Sequence, residues 1–418
     1  MLPGDSFSSL RDGGAALSAA LDGEELARWR PIDGALSPQL SPWDAIQNAA
    51  ELDFNQSDCN WFAFDAQTID RARRFAGILA LHRTGPRFAS LGAPSRERGP
   101  MPKSLRSWVP LLDLLPVQPR FDARPLYLAV LYDFADGSRE ACCHEEAVEG
   151  AFAPERFSFV EREQRYQLLQ GRAEDWQPNL PPILSCFYGY KGPAFALRAQ
   201  TDRFEIELFL RPDKQPVAYG SGGGPALYEG QTVINYVQRP RLQVIGSIRQ
   251  RSAGGWSEAQ VIRGDATQDR HWMTARDSNL RWLWLMARLD DGRECMAYEL
   301  RTADGGRDAP ADAGRVVAGG AWLVDQTSRA RAIPRAILRP LAHRRTMRGL
   351  APTRTELRLP DEDVRLTLEH EMPTFVPTRA LGESGSAGIW ESPARLIDAR
   401  GVTGGRFWVD YMPPFGGA

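Results

Sequence analysis

At 418 residues the chain is long enough for two domains or one large β architecture, and it can bury a sizeable core. Its 51 Lys and Arg against 53 Asp and Glu leave a formal charge of −2, which gives no electrostatic case for nucleic acid or an anionic membrane surface. No uninterrupted apolar run approaches the ~20 residues that cross a bilayer, so no transmembrane segment is expected, and peripheral membrane contact is left open.

The N-terminus, M-L-P-G-D-S-F-S-S-L-R-D-G-G, lacks a basic stretch followed by an apolar one, so no secretory signal is expected. Five cysteines, at 59, 142, 143, 186 and 295, are odd in number and lack paired zinc spacing, which fits a reduced, cytoplasmic protein. Residues 1–50 mix Gly, Pro, Ser and acids around one helical stretch, Ala16–Trp29, and read as a loosely packed lead-in. From residue 60 the pattern turns to strands: Trp61–Gln67, then Arg74–Arg83, although Ala72-Arg73-Arg74 also suits a helix. Pro86–Pro102 reads as a loop. Residues 125–143 read as strand, Asp136-Gly137 turn and strand, followed by short runs at Phe157–Gln170, Phe195–Gln200 and Asp202–Arg211.

The Gly-rich 221–225 suits an exposed connection, so domains are expected at 51–225 and 226–418. The second half opens with two strands interrupted at Arg239-Pro240. A hairpin follows, Arg281–Arg288 and Glu294–Arg301, turned at Asp290-Asp291-Gly292, where glycine supplies the positive φ of a tight turn. Ala336–Arg348 is ambiguous, and Thr355–Leu359 and Val364–His370 alternate as strands. L-A-V-L-Y-D-F-A-D-G-S-R-E-A-C-C at 128–143 is similar to L-W-L-M-A-R-L-D-D-G-R-E-C-M-A at 283–297. A long hairpin repeated so far apart suggests two related β domains, built from antiparallel meanders that close as barrels or sandwiches.

Several separated stretches agree with one family. L-F-L-R-P-D-K-Q-P-V-A-Y-G-S-G-G-G with I-N-Y-V-Q-R-P-R-L-Q-V-I-G resembles the carotenoid 1,2-hydratase (hydroxyneurosporene synthase) and AttH-like family. Q-D-R-H-W, followed by the Trp-rich strand and Asp-Gly hairpin, resembles its Asp-His-x-Trp element. I-W-E-S-P-A-R-L-I-D-A-R-G-V-T-G-G-R-F-W-V-D-Y resembles its closing strand pair, and C-N-W-F-A-F-D its Glu-Trp-Trp-Tyr opening. The resemblance covers roughly 60–418 and implies an all-β protein of two lipocalin-like (calycin) antiparallel barrels packed together, with a small hydrophobic substrate and no cofactor. Three positions depart from the family pattern: its His aligns with Arg270, its opening acid with Cys59, and its glycine after Trp-Glu with Ser392.

Protonating an isolated alkene takes a strong acid, and an apolar site supplies one by keeping a carboxylic acid protonated. Asp269 is the leading candidate, His271 a relay or orienting group, and Glu391 a second acid. Arg270 would hold Asp269 as an anion if both pointed the same way, which would oppose acid catalysis and favour a role in binding an oxygen function. Trp61, Trp272, Trp282, Trp284 and Trp390, with Tyr236 and Tyr298, are candidates to shape a greasy pocket and stabilise positive charge through their faces. Trp282 and Trp284, two apart on a strand, share a face. Cys142-Cys143-His144-Glu145-Glu146 alternates across a strand and makes a poor metal site, and no phosphate loop, nucleophile elbow or dinucleotide fingerprint is present, so neither metal nor cofactor is expected. The expected function is acid-initiated hydration, isomerisation or cyclisation of a terpenoid, polyene or polyketide-like alkene by a lyase or isomerase. A pericyclase and a non-catalytic carrier of apolar ligands are the alternatives.

Overall fold

The structure is a computed structural model. It describes residues 56–85, 87–91, 103–112, 114, 116, 119–122, 125–135, 137–145, 151–153, 156–161, 164–172, 193–219, 226–227, 233–274, 280–302, 313–362, 364–377, 388–397 and 403–412. The lead-in with its expected helical stretch at 16–29 and the Gly-rich 221–225 lie outside the described residues.

The protein is nearly all β. In chain order come β1 (Gln56–Thr68), β2 (Arg74–Thr84), β3 (Arg87–Leu91), β4 (Pro119–Asp122), β5 (Pro125–Asp133), β6 (Arg139–Glu145), β7 (Ala151–Ala153) and β8 (Arg156–Glu161). β9 (Gln164–Arg172), β10 (Pro193–Gln200), β11 (Phe204–Pro212), β12 (Val217–Tyr219), β13 (Ala226–Leu227), β14 (Val233–Ser252), β15 (Gly255–Trp256) and β16 (Gln260–Thr274) follow. The second half holds β17 (Leu280–Leu289), β18 (Glu294–Thr302), β19 (Val316–Val324), β20 (Ala330–Ile333), β21 (Ile337–Thr346), β22 (Gly349–Leu359), β23 (Val364–His370), β24 (Thr374–Pro377), β25 (Gly388–Ile397) and β26 (Thr403–Met412). One sheet runs in the order β6-β5-β2-β1-β16-β14-β11-β10-β9-β8-β7, another β20-β19-β18-β17-β26-β25-β23-β22-β21, and β3 pairs with β4. The fold is lipocalin-like and antiparallel, as expected. Among the described residues no helix is long and apolar enough to cross a membrane.

Three local readings are corrected. The expected 86–102 loop contains β3, which pairs with β4. The ambiguous 336–348 stretch is strand β21, with β-bulges in its ladder to β22 at Pro340–His343. Arg239-Pro240 does not interrupt β14, which runs unbroken for 20 residues. The turn readings hold: Gly137 and Gly292 take φ of 69° and 85°, positions that only glycine occupies without strain.

The chain divides into two compact units. One holds the described residues to Pro216 together with Val237–Trp272, and the other holds Val217–Tyr236 and the chain from Met273 onward. The first unit thus takes most of β14 and β16, segments that lie C-terminal to the 221–225 boundary read from sequence. Its core is built by alternation. Phe62, Phe64 and Ala66 of β1, Phe75, Leu79 and Leu81 of β2, Leu208 and Leu210 of β11, and Ile262 and Ala266 of β16 all pack together, each set spaced by even intervals. The second core collects Leu283, Leu285 and Ala287 of β17 with Cys295, Ala297, Leu357, Leu368, Trp390, Ala394 and Val409. Each fully buried Leu or Phe contributes about 1.5–3 kcal/mol against the entropy of ordering the strands. β1 and β16 approach closely where β16 carries Gly264: a Cβ there would stand 2.1 Å from the Asp65 carbonyl oxygen.

Candidate functional site

In the first unit, strand alternation divides the polar residues of β16 between two faces. Ile262 and Ala266 enter the core, and Gln268 and Arg270 follow on the same side. Arg270 is buried and closes on buried Asp58 of β1, Nε to Oδ1 at 3.3 Å and Nη2 to Oδ2 at 3.2 Å. Next to this pair, Gln268 Nε2 donates to Asn60 Oδ1 at 3.2 Å, and Gln268 Oε1 accepts from Arg239 Nη1 at 2.8 Å. The Arg239 guanidinium lies over the Phe195 ring at 5.3 Å, and Phe195 meets Phe62 edge-on at 5.4 Å. A charged, hydrogen-bonded layer therefore sits on top of the apolar core. Desolvating both charges is tolerable because each finds the other.

Asp269 and His271 point to the opposite face of the same strand. Arg270 is thus engaged by Asp58 and does not share a face with Asp269. Asp269 is 5% exposed. The His271 ring stands 6.5 Å from that of His82. Burial pushes His271 down to about 4; Asp58 opposes the shift and Arg270 adds to it. The imidazole is therefore neutral near pH 7, able to accept or pass a proton but carrying no charge of its own. Cys59, cross-strand from His82 and buried, lies on this face by alternation, as does part-buried Trp61. Trp272 is on β16, with its side chain outside the described residues. Tyr236 is part-buried and belongs to the second unit.

In the second unit the register lines up an aromatic face. Trp284 is opposite Tyr298, Met286 opposite Met296, and Met296 opposite Trp322, with Met286 also opposite Trp408. Residues directly across a ladder share a face, so Trp282, Trp284, Met286, Tyr298, Trp322 and Trp408 all stand on the side away from the Leu283–Leu285 core. Tyr298 and Trp322 stack at 5.9 Å and 14°. Gly320 stands opposite Tyr298, and the Trp322 ring edge lies 3.6 Å from where a Cβ there would be, an ordinary van der Waals contact. Burial raises the Tyr298 hydroxyl above its ordinary pKa. Glu391 is fully buried on this face and accepts a 2.5 Å hydrogen bond from Trp408 Nε1. Trp390, one residue earlier, points the other way into the core and packs edge-on against Phe375 at 5.3 Å.

The structure thus groups Asp269 with His271 in one unit, and Trp282, Trp284, Tyr298 and Glu391 in the other, while Trp390 serves the core. Sequence reasoning missed Asp58, His82, Trp322 and Trp408. The aromatic pair had a signal: Trp322 and Trp408 stand in strand-like runs and fall on the Trp284 face once the register is known. Asp58 had none, since it lies 212 residues from Arg270. Among the described residues no cluster of three or more His, Cys, Asp or Glu is arranged to hold a metal ion, and the side chains of Cys142, Cys143 and His144 lie outside those residues.

Comparison with solved structures agrees with this architecture. An AttH-like protein from Nitrosomonas europaea, 18% identical, superposes with a TM-score of 0.64 over 92% of this chain and 100% of its own. Kievitone hydratase from Nectria haematococca, 10% identical, superposes with a TM-score of 0.52 over 89% of this chain and 94% of its own. At such identities the likeness is one of fold. The chain matches no curated protein sequence. The AttH-like family model matches residues 165–406, more than half of the sequence, and the chain belongs to the AttH-like family.

Proposed function

We propose that the protein is a cofactor-independent enzyme that protonates an alkene of a hydrophobic natural product and so starts its hydration, isomerisation or cyclisation. The observation that carries this reading is the division of β16. Arg270 is committed to Asp58, while buried Asp269 shares the other face with neutral His271. In this reading Asp269 delivers its proton to one alkene carbon, and the cation formed at the other is captured by water or by a second double bond. The proton released at the end returns to the Asp269 carboxylate, directly or through His271, which restores the enzyme. Aromatic faces stabilise the intervening cation. The fold shared with kievitone hydratase supports hydration as the first reaction to test.

The test uses the full chain in deuterated buffer with farnesol, lycopene and 2-allylphenol as probe alkenes, and product mass is read by mass spectrometry. Hydrated or cyclised product carrying solvent deuterium on carbon is expected, with Asp269→Asn losing at least about 100-fold in turnover, the lower end of what general-acid catalysis contributes. Ring closure without deuterium, undiminished in Asp269→Asn, would instead identify a pericyclic reaction.

A further inference from the structure

On the aromatic face of the second unit, Trp408 spends its indole N–H on Glu391. Trp284 does not. It is 7% exposed, and its Nε1 is buried with no hydrogen-bond partner among the described residues. An indole N–H only donates, and leaving it buried and unmet is unfavourable. Two rows of the ladder place Tyr298, the Trp322 ring stacked on Tyr298, Met286 and Met296 beside it, and Asp410, whose side chain lies outside the described residues, directly across on β26. Trp282, Tyr298 and Trp322 are part-buried while Trp284, Met286, Met296 and Trp408 are buried, so this face is covered over its middle and partly open at those three rings. A surface of stacked rings favours a planar partner, and one unspent donor favours an oxygen acceptor in that partner's plane.

We infer that the second unit binds a flat, conjugated molecule bearing a carbonyl or similar oxygen, which accepts the Trp284 N–H while its rings lie against Tyr298 and Trp322. This rests on the reading of the protein as one that takes a hydrophobic small molecule, and adds an oxygen function to the molecule that the second unit's own aromatic face would hold. A pure hydrocarbon polyene would leave the donor unmet and lose the discrimination that a buried hydrogen-bonding group supplies.

The probes are 9-fluorenone and fluorene, which share one planar skeleton and differ by the carbonyl. Equilibrium dialysis of the full chain should show fluorenone bound about tenfold tighter than fluorene, the equivalent of one hydrogen bond to a buried donor. Trp284→Phe, which keeps the ring and removes the N–H, should bind both alike. In the unaltered protein, infrared difference spectra should show the bound carbonyl stretch moved to lower frequency than in hexane, a readout that does not depend on the variant folding. Equal affinities, binding of neither probe, an unshifted carbonyl band, or a preference retained in Trp284→Phe would each overturn the inference. Solvent-deuterium incorporation by the unaltered protein separates it from the proposed reaction. Fluorenone preference intact without any proton transfer by the unaltered protein sinks the reaction alone, whereas turnover without fluorenone preference sinks the site alone.

Discussion

Asp58→Asn tests the pairing on which the assignment of β16 rests. The two side chains are 0% and 5% exposed, and Arg270 reaches both carboxylate oxygens at 3.2–3.3 Å. Asparagine keeps the shape and one acceptor but leaves the guanidinium buried without its counter-charge. Removing one member of such a pair costs about 3–5 kcal/mol, and the retained acceptor places this variant near 3. The double variant Asp58→Asn with Arg270→Gln replaces the ion pair by a neutral hydrogen-bonded pair and should recover at least half of the loss. Urea unfolding followed by fluorescence and by circular dichroism measures this, with coincident curves as the check that a two-state fit applies. The His271 signal in NMR adds an independent reading. Asp58 holds its pKa up and Arg270 holds it down, so Asp58→Asn should move it below about 4 and Arg270→Gln above. A cost under about 1 kcal/mol for Asp58→Asn, or a double variant less stable than either single one, would refute the buried pairing.

Three further outcomes follow from the packing of buried groups. Burial brings His271 to about 4 and His370 to about 3, the latter with a smaller push from His343. Unfolded histidines bind protons near pH 6.5, so stability should fall as pH drops from there towards 4, by up to about 1.4 kcal/mol per unit for each histidine; replacing His370 by Gln should flatten that slope, and an unchanged slope would count against its burial. Gly264→Ala should destabilise the first unit by at least about 2 kcal/mol, because the new methyl meets the Asp65 carbonyl at 2.1 Å; a neutral effect on the unfolding midpoint would show that β1 and β16 are not so close. Trp408→Phe takes the indole donor from buried Glu391 and should cost about 1–3 kcal/mol, with Trp408→His, which keeps a ring N–H, less damaging in the same thermal melt.

What the sequence made legible, and what it hid, divides along the range of the forces involved. Asp136-Gly137 and Asp291-Gly292 announce their hairpins because a positive φ is a demand of the local backbone, and β5–β6 and β17–β18 form around them. Trp282 and Trp284 share a face because side chains alternate along any strand. Pro240 misled for an instructive reason. A proline lacks the ladder donor, yet β14 carries it without a break, since one missing N–H among 20 residues is a small loss against so long a pairing. Arg270 is the decisive case. Its adjacency to Asp269 in sequence suggested an ion pair that would have kept the acid ionised, but alternation turns neighbours to opposite faces, and only the fold could supply Asp58 from 212 residues away. The same rule separates Trp390 from Glu391, placing the indole in the core and the carboxylate against Trp408. For this chain, which side chain serves chemistry and which serves packing is set by parity along the strand, and parity becomes readable only once a single inward-facing residue on that strand is known.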